Sequence, residues 1–173
     1  GESWDKLASL VVSRLEGQTV ADNRKVELYG RALRPVETMP GLSLGPELYI
    51  SRFSRNLSAF ERGHGGYFSP SRSTTLGGLG RYETNLGTLA LTFTGGLGWN
   101  YNREAAAAGN PITGARPGQY PAANGSGLAY HGRIEGLQPL GSDWVLGFGI
   151  GLQRSSYFSD RRANVFVQRN WGE

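Results

Sequence analysis

The residues of this chain that could perform catalysis lie close together in one glycine-rich segment. His64 and Ser69 are five positions apart, and Glu61 is the nearest carboxylate before the histidine. A hydroxyl nucleophile needs an adjacent base, and that base needs a third group to orient it. One hypothesis is therefore a small outer-membrane hydrolase that acts on lipid through His64 and Ser69. Spacing within a loop does not establish a triad, so we favour a structural role for His64, in which its hydrogen bonds hold the loop in place.

The whole segment, residues 63–70, has a composition that favours a folded loop. Its glycines let the backbone bend where a side chain would clash, and its two adjacent aromatic residues need a surface to lie on. We predict that the loop folds back onto a wall. Tyr67 and Phe68 then either anchor the loop or stack on sugar rings. The members of this loop motif are Gly63, His64, Gly65, Gly66, Tyr67, Phe68, Ser69 and Pro70.

The segments around this loop alternate like β-strands. In residues 88–101 one face is apolar and ends in Trp99 and Tyr101, whereas the other carries threonine, glycine and asparagine. This alternation exceeds an ordinary strand length and is long enough to cross a membrane. Weaker versions predict strands in residues 24–33, 42–53, 73–83, 127–138, 142–153 and 163–171. Residues 3–15 fit both a helix and a strand, and we favour the strand, which gives seven or eight strands.

The predicted connections differ in length on the two sides of the strands. Residues 34–41, 85–87 and 140–142 read as short turns, whereas residues 54–71, 104–126 and 155–162 read as longer loops. This asymmetry is typical of outer-membrane barrels. We therefore predict an all-β protein with an antiparallel up-and-down transmembrane barrel. The alternative is a soluble β-barrel that binds a small ligand, with its apolar face turned inward.

Composition narrows the functional classes. The 173 residues predict a single domain, 1–173, and the 27 glycines favour strands over helices. The absence of cysteine excludes disulfides and cysteine-based metal sites, and we predict no metal and no cofactor. The net charge of +4 is scattered along the chain, so we predict no nucleic-acid partner. The chain starts at Gly1 without a signal peptide, and we expect it to be a piece whose export signal lies elsewhere.

The polar faces of the strands supply candidate residues for a lumen. They mix both signs of charge with tyrosine, a combination that suits an uncharged polymer as well as cross-strand ion pairs that brace a wall. The candidate pore-lining residues are Lys25, Glu27, Tyr29, Arg31, Glu47, Tyr49, Arg81, Glu83, His131, Arg133 and Glu135.

The loop motif also resembles a known family. Asn56-Leu57, Phe60 and the run of residues 63–70 resemble the C-terminal barrel domain of the cellulose synthase operon protein C family, the outer-membrane exporters of cellulose. Ser71 stands where that family usually has glutamine. The resemblance covers most of this chain and about the C-terminal half of the family's barrel.

The resemblance implies a sixteen-stranded barrel in the bacterial outer membrane that exports a nascent exopolysaccharide, cellulose, and is not an enzyme. It implies four partners: the β-glucan chain, outer-membrane lipid, the remaining barrel strands with a periplasmic helical-repeat region of the same protein, and, indirectly, an inner-membrane cellulose synthase complex. Eight strands closing alone would leave an interior filled by side chains, so transport requires either the further strands or pairing with another copy of this piece.

Overall fold

The computed structural model describes residues 4–18, 20–58, 65–109, 118–156 and 158–169, and the ordered elements of these residues are all β-strands. The strands are β1 (Asp5–Leu15), β2 (Asn23–Pro35), β3 (Leu42–Phe53), β4 (Arg72–Leu86), β5 (Leu89–Glu104), β6 (Ala107–Gly109), β7 (Gly118–Tyr120), β8 (Ala123–Pro139), β9 (Trp144–Arg154) and β10 (Ser159–Arg169). Within these residues, no helix is sufficiently long and apolar to traverse a membrane.

Eight of the strands form one antiparallel up-and-down sheet with the order β1-β2-β3-β4-β5-β8-β9-β10. The sheet curves into a half-barrel whose two edges, β1 and β10, are not paired with each other in the described residues. The prediction of an up-and-down all-β fold is confirmed, and so is the choice of a strand at the N-terminus. Residue Trp171, which was expected to end the last strand, lies outside the described residues.

The two ends of the sheet differ as expected from the sequence. Three short turns join strands at one end, called here the turn end, and the longer connections lie at the opposite loop end. The β4–β5 turn needs only two residues, because Leu86 pairs with Leu89, and Gly87 adopts a φ of +61° there. The β3–β4 connection keeps its predicted bounds, and the other two long connections are shorter than predicted. Strand β8 begins at Ala123, β10 begins at Ser159, and a small β6–β7 hairpin occupies part of the expected loop of residues 104–126.

The two faces of the sheet have opposite chemistry. Large apolar side chains lie exposed on the convex face, where Leu76 is 62% exposed. The buried residues are on the concave side and in the loop that covers it, and Leu79, three positions from Leu76, is only 3% exposed. Charged and hydroxyl side chains occupy most of the remaining concave positions. A soluble barrel would place its apolar face inward, so this sheet has the reverse arrangement.

Glycines in the middle of β4 and β5 allow the sheet to curve tightly. Gly77 and Gly98 are directly paired on the concave face. A Cβ added to Gly77 would stand 2.5 Å from the carbonyl oxygen of Leu97, and one added to Gly98 would stand 2.6 Å from that of Leu76. Both distances are too short for ordinary contact, so the backbones approach this closely only because neither residue carries a side chain.

We predict that Gly77→Ala destabilises the folded protein by about 1–3 kcal/mol, because the new methyl group must push two strands apart. The neighbouring Gly78 is the matched control, since a Cβ there meets no atom within 4 Å. Gly78→Ala should be neutral or slightly stabilising. Urea unfolding in detergent micelles, followed by tryptophan fluorescence, measures both variants. Equal midpoints for the two variants would contradict the close-approach explanation.

Candidate functional site: the concave groove

The concave face contains a groove of about 1150 Å³. All eight strands of the large sheet contribute residues to it, and Tyr67 and Phe68 of the β3–β4 loop close it at the loop end. The wall is therefore mostly β-strand, while loop residues supply further aromatic rings. Alternating side chains, fixed by strand register, direct the polar residues into this groove.

The structure brings seven of the eleven predicted pore-lining residues together around the groove: Lys25, Glu27, Tyr29, Glu47, Tyr49, His131 and Arg133. The other four, Arg31, Arg81, Glu83 and Glu135, share the concave face by strand alternation but lie closer to the turn end, outside the groove. There the Asp5 carboxylate accepts from Arg31 at 3.3 Å and lies 3.6 Å from Arg81. Arg31, Arg81 and Glu83 therefore belong to ion pairs of the wall beyond the groove, whereas Glu135 pairs at 2.8 Å with Arg133 of the groove.

A polar bridge crosses the middle of the groove. His131 Nε2 of β8 lies 2.9 and 3.1 Å from the two carboxylate oxygens of Glu47 of β3, although β4 and β5 separate these strands. The two side chains can meet because a glycine lies beneath them: a Cβ on Gly96 would overlap both the imidazole and the carboxylate. The Glu47 carboxylate is buried, and the bridge compensates its desolvation.

A second polar cluster lies nearer the loop end. Lys25 Nζ is 2.8 Å from the carboxylate of Glu27, which also accepts a hydrogen bond from the Tyr49 hydroxyl. The same ammonium group lies 5.5 Å from the centre of the Phe53 ring. Each charge in this part of the groove thus has an opposite charge or an aromatic face beside it.

The loop motif docks onto this end of the sheet through a buried asparagine. The Asn23 amide donates to the Tyr67 hydroxyl at 3.0 Å and to the carbonyl oxygen of Arg55 at 2.9 Å. Its side-chain oxygen accepts from the backbone N–H groups of Arg24 and Arg55 and from the Ser54 hydroxyl, at 2.9–3.0 Å. One side chain therefore joins the start of β2 to both ends of the loop.

The other described residues of the motif are held by hydrogen bonds to backbone groups of Leu57 and Phe53. Ser69 is fully buried, and its hydroxyl accepts from the Leu57 N–H at 2.7 Å. Gly65 and Gly66 both donate to the carbonyl oxygen of Leu57, at 3.2 and 3.1 Å. Pro70 lies beside the sheet, where its carbonyl accepts from Phe53 N–H at 3.1 Å. Gly63, His64 and Glu61 lie outside the described residues, so the position expected for the histidine stays a prediction.

An amide cluster on β4 and β5 was not among the predicted site residues. Asn100 donates to the Thr75 and Ser73 hydroxyls at 2.7 and 3.1 Å, and Asn102 donates to the Asn100 side-chain oxygen. The Asn102 side-chain oxygen is buried and has no partner among the described residues. The sequence signal for this cluster is the period-two recurrence of threonine and asparagine on one face of residues 88–101. This face carries no charge, so it does not stand out as a site.

The groove offers hydroxyls, amides, aromatic faces and balanced charges, and these groups suit a neutral polyhydroxylated ligand. The described residues contain no group of three or more histidine, aspartate or glutamate side chains that could hold a metal ion.

Comparison with known proteins assigns the chain to a family. The model of the family described as "Cellulose synthase operon protein C C-terminus" matches residues 1–171. The chain belongs to this family.

Two members of known name show how much of the longer proteins this chain represents. It is 44% identical over 73 residues to cellulose synthase operon protein C of Xanthomonas axonopodis pv. citri (strain 306), a match covering 40% of this chain and 5% of that protein. It is 20% identical over 179 residues to the protein of the same name from Salmonella typhimurium (strain LT2), covering 97% of this chain and 15% of that protein. The chain thus spans only a small part of these relatives.

We predict that Asn23→Ala loosens the β3–β4 loop strongly, because it removes the acceptor of the Arg55 N–H and one of the two acceptors of the Arg24 N–H, the other being the Ser54 hydroxyl. The expected loss is about 2–4 kcal/mol, whereas Tyr67→Phe, which removes one hydrogen bond, should cost about 1 kcal/mol. The readouts are urea unfolding and the rate of protease cleavage within residues 54–71. Asn124→Ala, an exposed position at the same end of the sheet, is the control. Cleavage of the Asn23 variant at the parent's rate would show that the asparagine does not hold the loop.

Proposed function

We propose that this chain forms part of an outer-membrane channel through which a nascent exopolysaccharide, cellulose, leaves the bacterial cell. The observation that carries this proposal is the reversal of faces: a polar concave groove behind an exposed apolar convex surface, in a chain of the cellulose synthase operon protein C family. A water-filled interior with a lipid-facing exterior needs this arrangement.

The convex face has the layered order of a membrane-facing wall. Aromatic side chains lie toward both ends, Tyr82, Phe93 and Trp144 at the turn end and Trp99 and Tyr101 at the loop end. About 27 Å of strand separates Phe93 from Tyr101 at the usual rise per residue, and a tilt of about 40° brings this close to the height of a membrane band. The short turns then face the periplasm, and the loops face outward.

The open edges support completion of the barrel by further strands. Strands β1 and β10 are long and almost entirely exposed, a condition that invites pairing with other strands. A barrel of eight strands would have an interior filled by its own side chains. We propose that the remaining strands come from the same protein, whose periplasmic helical-repeat region guides the polymer from the inner-membrane synthase.

The groove suits a neutral glucan better than a charged one. Acidic and basic groups alternate around it and neutralise each other, as in the Lys25–Glu27 and Asp160–Arg162 pairs. A sugar ring has an apolar face that can lie on Tyr67 or Phe68, and its hydroxyls can exchange hydrogen bonds with Asn100. The balanced charges therefore leave the polymer mobile, since no strong fixed charge holds it.

We propose passive conduction rather than catalysis. The hydrolase alternative requires an accessible Ser69 hydroxyl, and that group is buried and hydrogen-bonded to Leu57 and Ser58. The soluble-barrel alternative requires the apolar side chains to face inward, whereas they face outward. The synthase would push the polymer through the channel by elongating it.

The adjacent residues Thr75 and Leu76 provide a direct test, since they face opposite sides of β4 and the chain has no cysteine of its own. In the full-length protein in native membranes, Thr75→Cys should react with a charged, water-soluble thiol reagent, and a bound cello-oligosaccharide should slow that reaction. Leu76→Cys should react only with an apolar maleimide, because it faces lipid.

The functional readout is glucan released by cells that depend on each variant. Attaching a bulky reagent at residue 75 should reduce the release of glucan several-fold, while the same group at residue 76 should leave it unchanged. Equal reactivity of the two positions toward the charged reagent would remove the membrane assignment. Normal glucan release after complete labelling at residue 75 would remove the channel assignment.

A further inference from the structure

A row of arginines follows the outward edge of the sheet at the loop end. Its members lie on five consecutive strands and face away from the groove by strand alternation: Arg14, Arg24, Arg52, Arg72 and Arg103. All five are exposed. At the usual spacing of strands, the row extends over about 19 Å. We call this set the arginine row.

The register places like charges directly opposite each other in the arginine row. Arg14 pairs with Arg24, and Arg72 pairs with Arg103. Because Ser51 pairs with Ser73, the next position on each strand sets Arg52 beside Arg72. Like charges at directly opposed positions destabilise a sheet. An external anion that binds between them would remove this repulsion.

The protein itself neutralises only one end of the row. Arg14 lies 3.0 Å from Glu16 and 3.2 Å from Asp22. Among the described carboxylates, none forms an ion pair with Arg24, Arg52, Arg72 or Arg103. The carboxylates of the groove do not neutralise these four arginines either, since the arginines face the opposite side of the wall.

The position of the row identifies the anion. Along β5 the outward residues run from apolar Leu97, through Trp99 and Tyr101, to Arg103. Arg103 stands about 7 Å beyond Tyr101, at the level where lipid headgroups meet the aromatic layer of a membrane protein. Guanidinium groups bind phosphate in bidentate fashion, and phosphate is the common anionic group of lipid headgroups at this level.

We propose that the arginine row binds the phosphate groups of an anionic lipid in the membrane leaflet that surrounds the loop end. The lipid headgroup bridges neighbouring strands from outside, in the same way that ion pairs bridge them inside the groove. This proposal rests on the membrane placement of the sheet and is independent of which polymer passes through it.

The test uses the full-length protein in detergent micelles, titrated with diphosphorylated lipid A or with the same lipid after removal of its phosphates. The parent should prefer the phosphorylated lipid. Removing three charges in Arg52→Gln/Arg72→Gln/Arg103→Gln should weaken that binding by about tenfold to a hundredfold and leave binding of the phosphate-free lipid unchanged.

The matched control removes three positive charges from the same outward face at the turn end, Lys6→Gln/Arg34→Gln/Arg169→Gln, and should keep the parent's preference. The proposal is wrong if this control loses the preference equally, or if the loop-end variant retains it. It is also wrong if inorganic phosphate at the same phosphate concentration displaces the lipid, because the row would then bind the free anion.

If the triple variant does not fold, Arg72→Gln and Arg103→Gln are examined singly. Each removes one member of an opposed like-charge pair, so each should fold at least as well as the parent. Each should reduce the preference for phosphorylated lipid by about fivefold. An unchanged preference in both single variants would overturn the proposal.

Discussion

Side chains alternate between two different surroundings along every long strand, and the rest of the structure depends on this constraint. A shift of one residue in register would move Glu47 and Lys25 to the convex face and Ile50 and Leu76 to the concave face. Such a shift would put charges on the apolar convex surface and break the polar contacts across the groove. The polar bridges and the apolar surface therefore depend on the same strand register. A change of register would lose both features at once, which makes such a change doubly unfavourable.

Glycine makes the interior bridges possible. An ordinary cross-strand pair joins neighbouring strands, but the Glu47–His131 bridge passes over two strands, and the Asp5–Arg81 contact also passes over two. A side chain at position 96 would block the first of these contacts, because a Cβ there would overlap both His131 and Glu47. Gly96 leaves the first path open, and Gly77 and Gly98 curve the wall so that distant strands approach each other. The high glycine content thus sets the curvature of the wall and the reach of its polar groups.

Much of the fold could be predicted from the sequence because its signal is local. Period-two alternation and turn residues predicted the long strands and the short turns, and residues such as Lys25 and Tyr49 were assigned to the correct face. Strand register was harder to foresee, because the pairing of Glu47 with His131 depends on residues 84 positions apart. The role of Asn23 was also missed. An asparagine before a strand resembles any turn residue until the loop that it holds has been placed.

The loop motif joins the groove to the hydrogen bonds that hold the β3–β4 loop on the sheet. Tyr67 and Phe68 lie at the loop end of the groove, where the wall would otherwise be open, and Asn23 and Ser69 fix the backbone that carries them. A loop held by side-chain to backbone hydrogen bonds has few alternative conformations, because releasing it would expose several unpaired donors at once. The aromatic rings are therefore positioned almost as firmly as strand residues. The loop end of the groove is thus shaped by a segment that has no regular secondary structure of its own in the residues described.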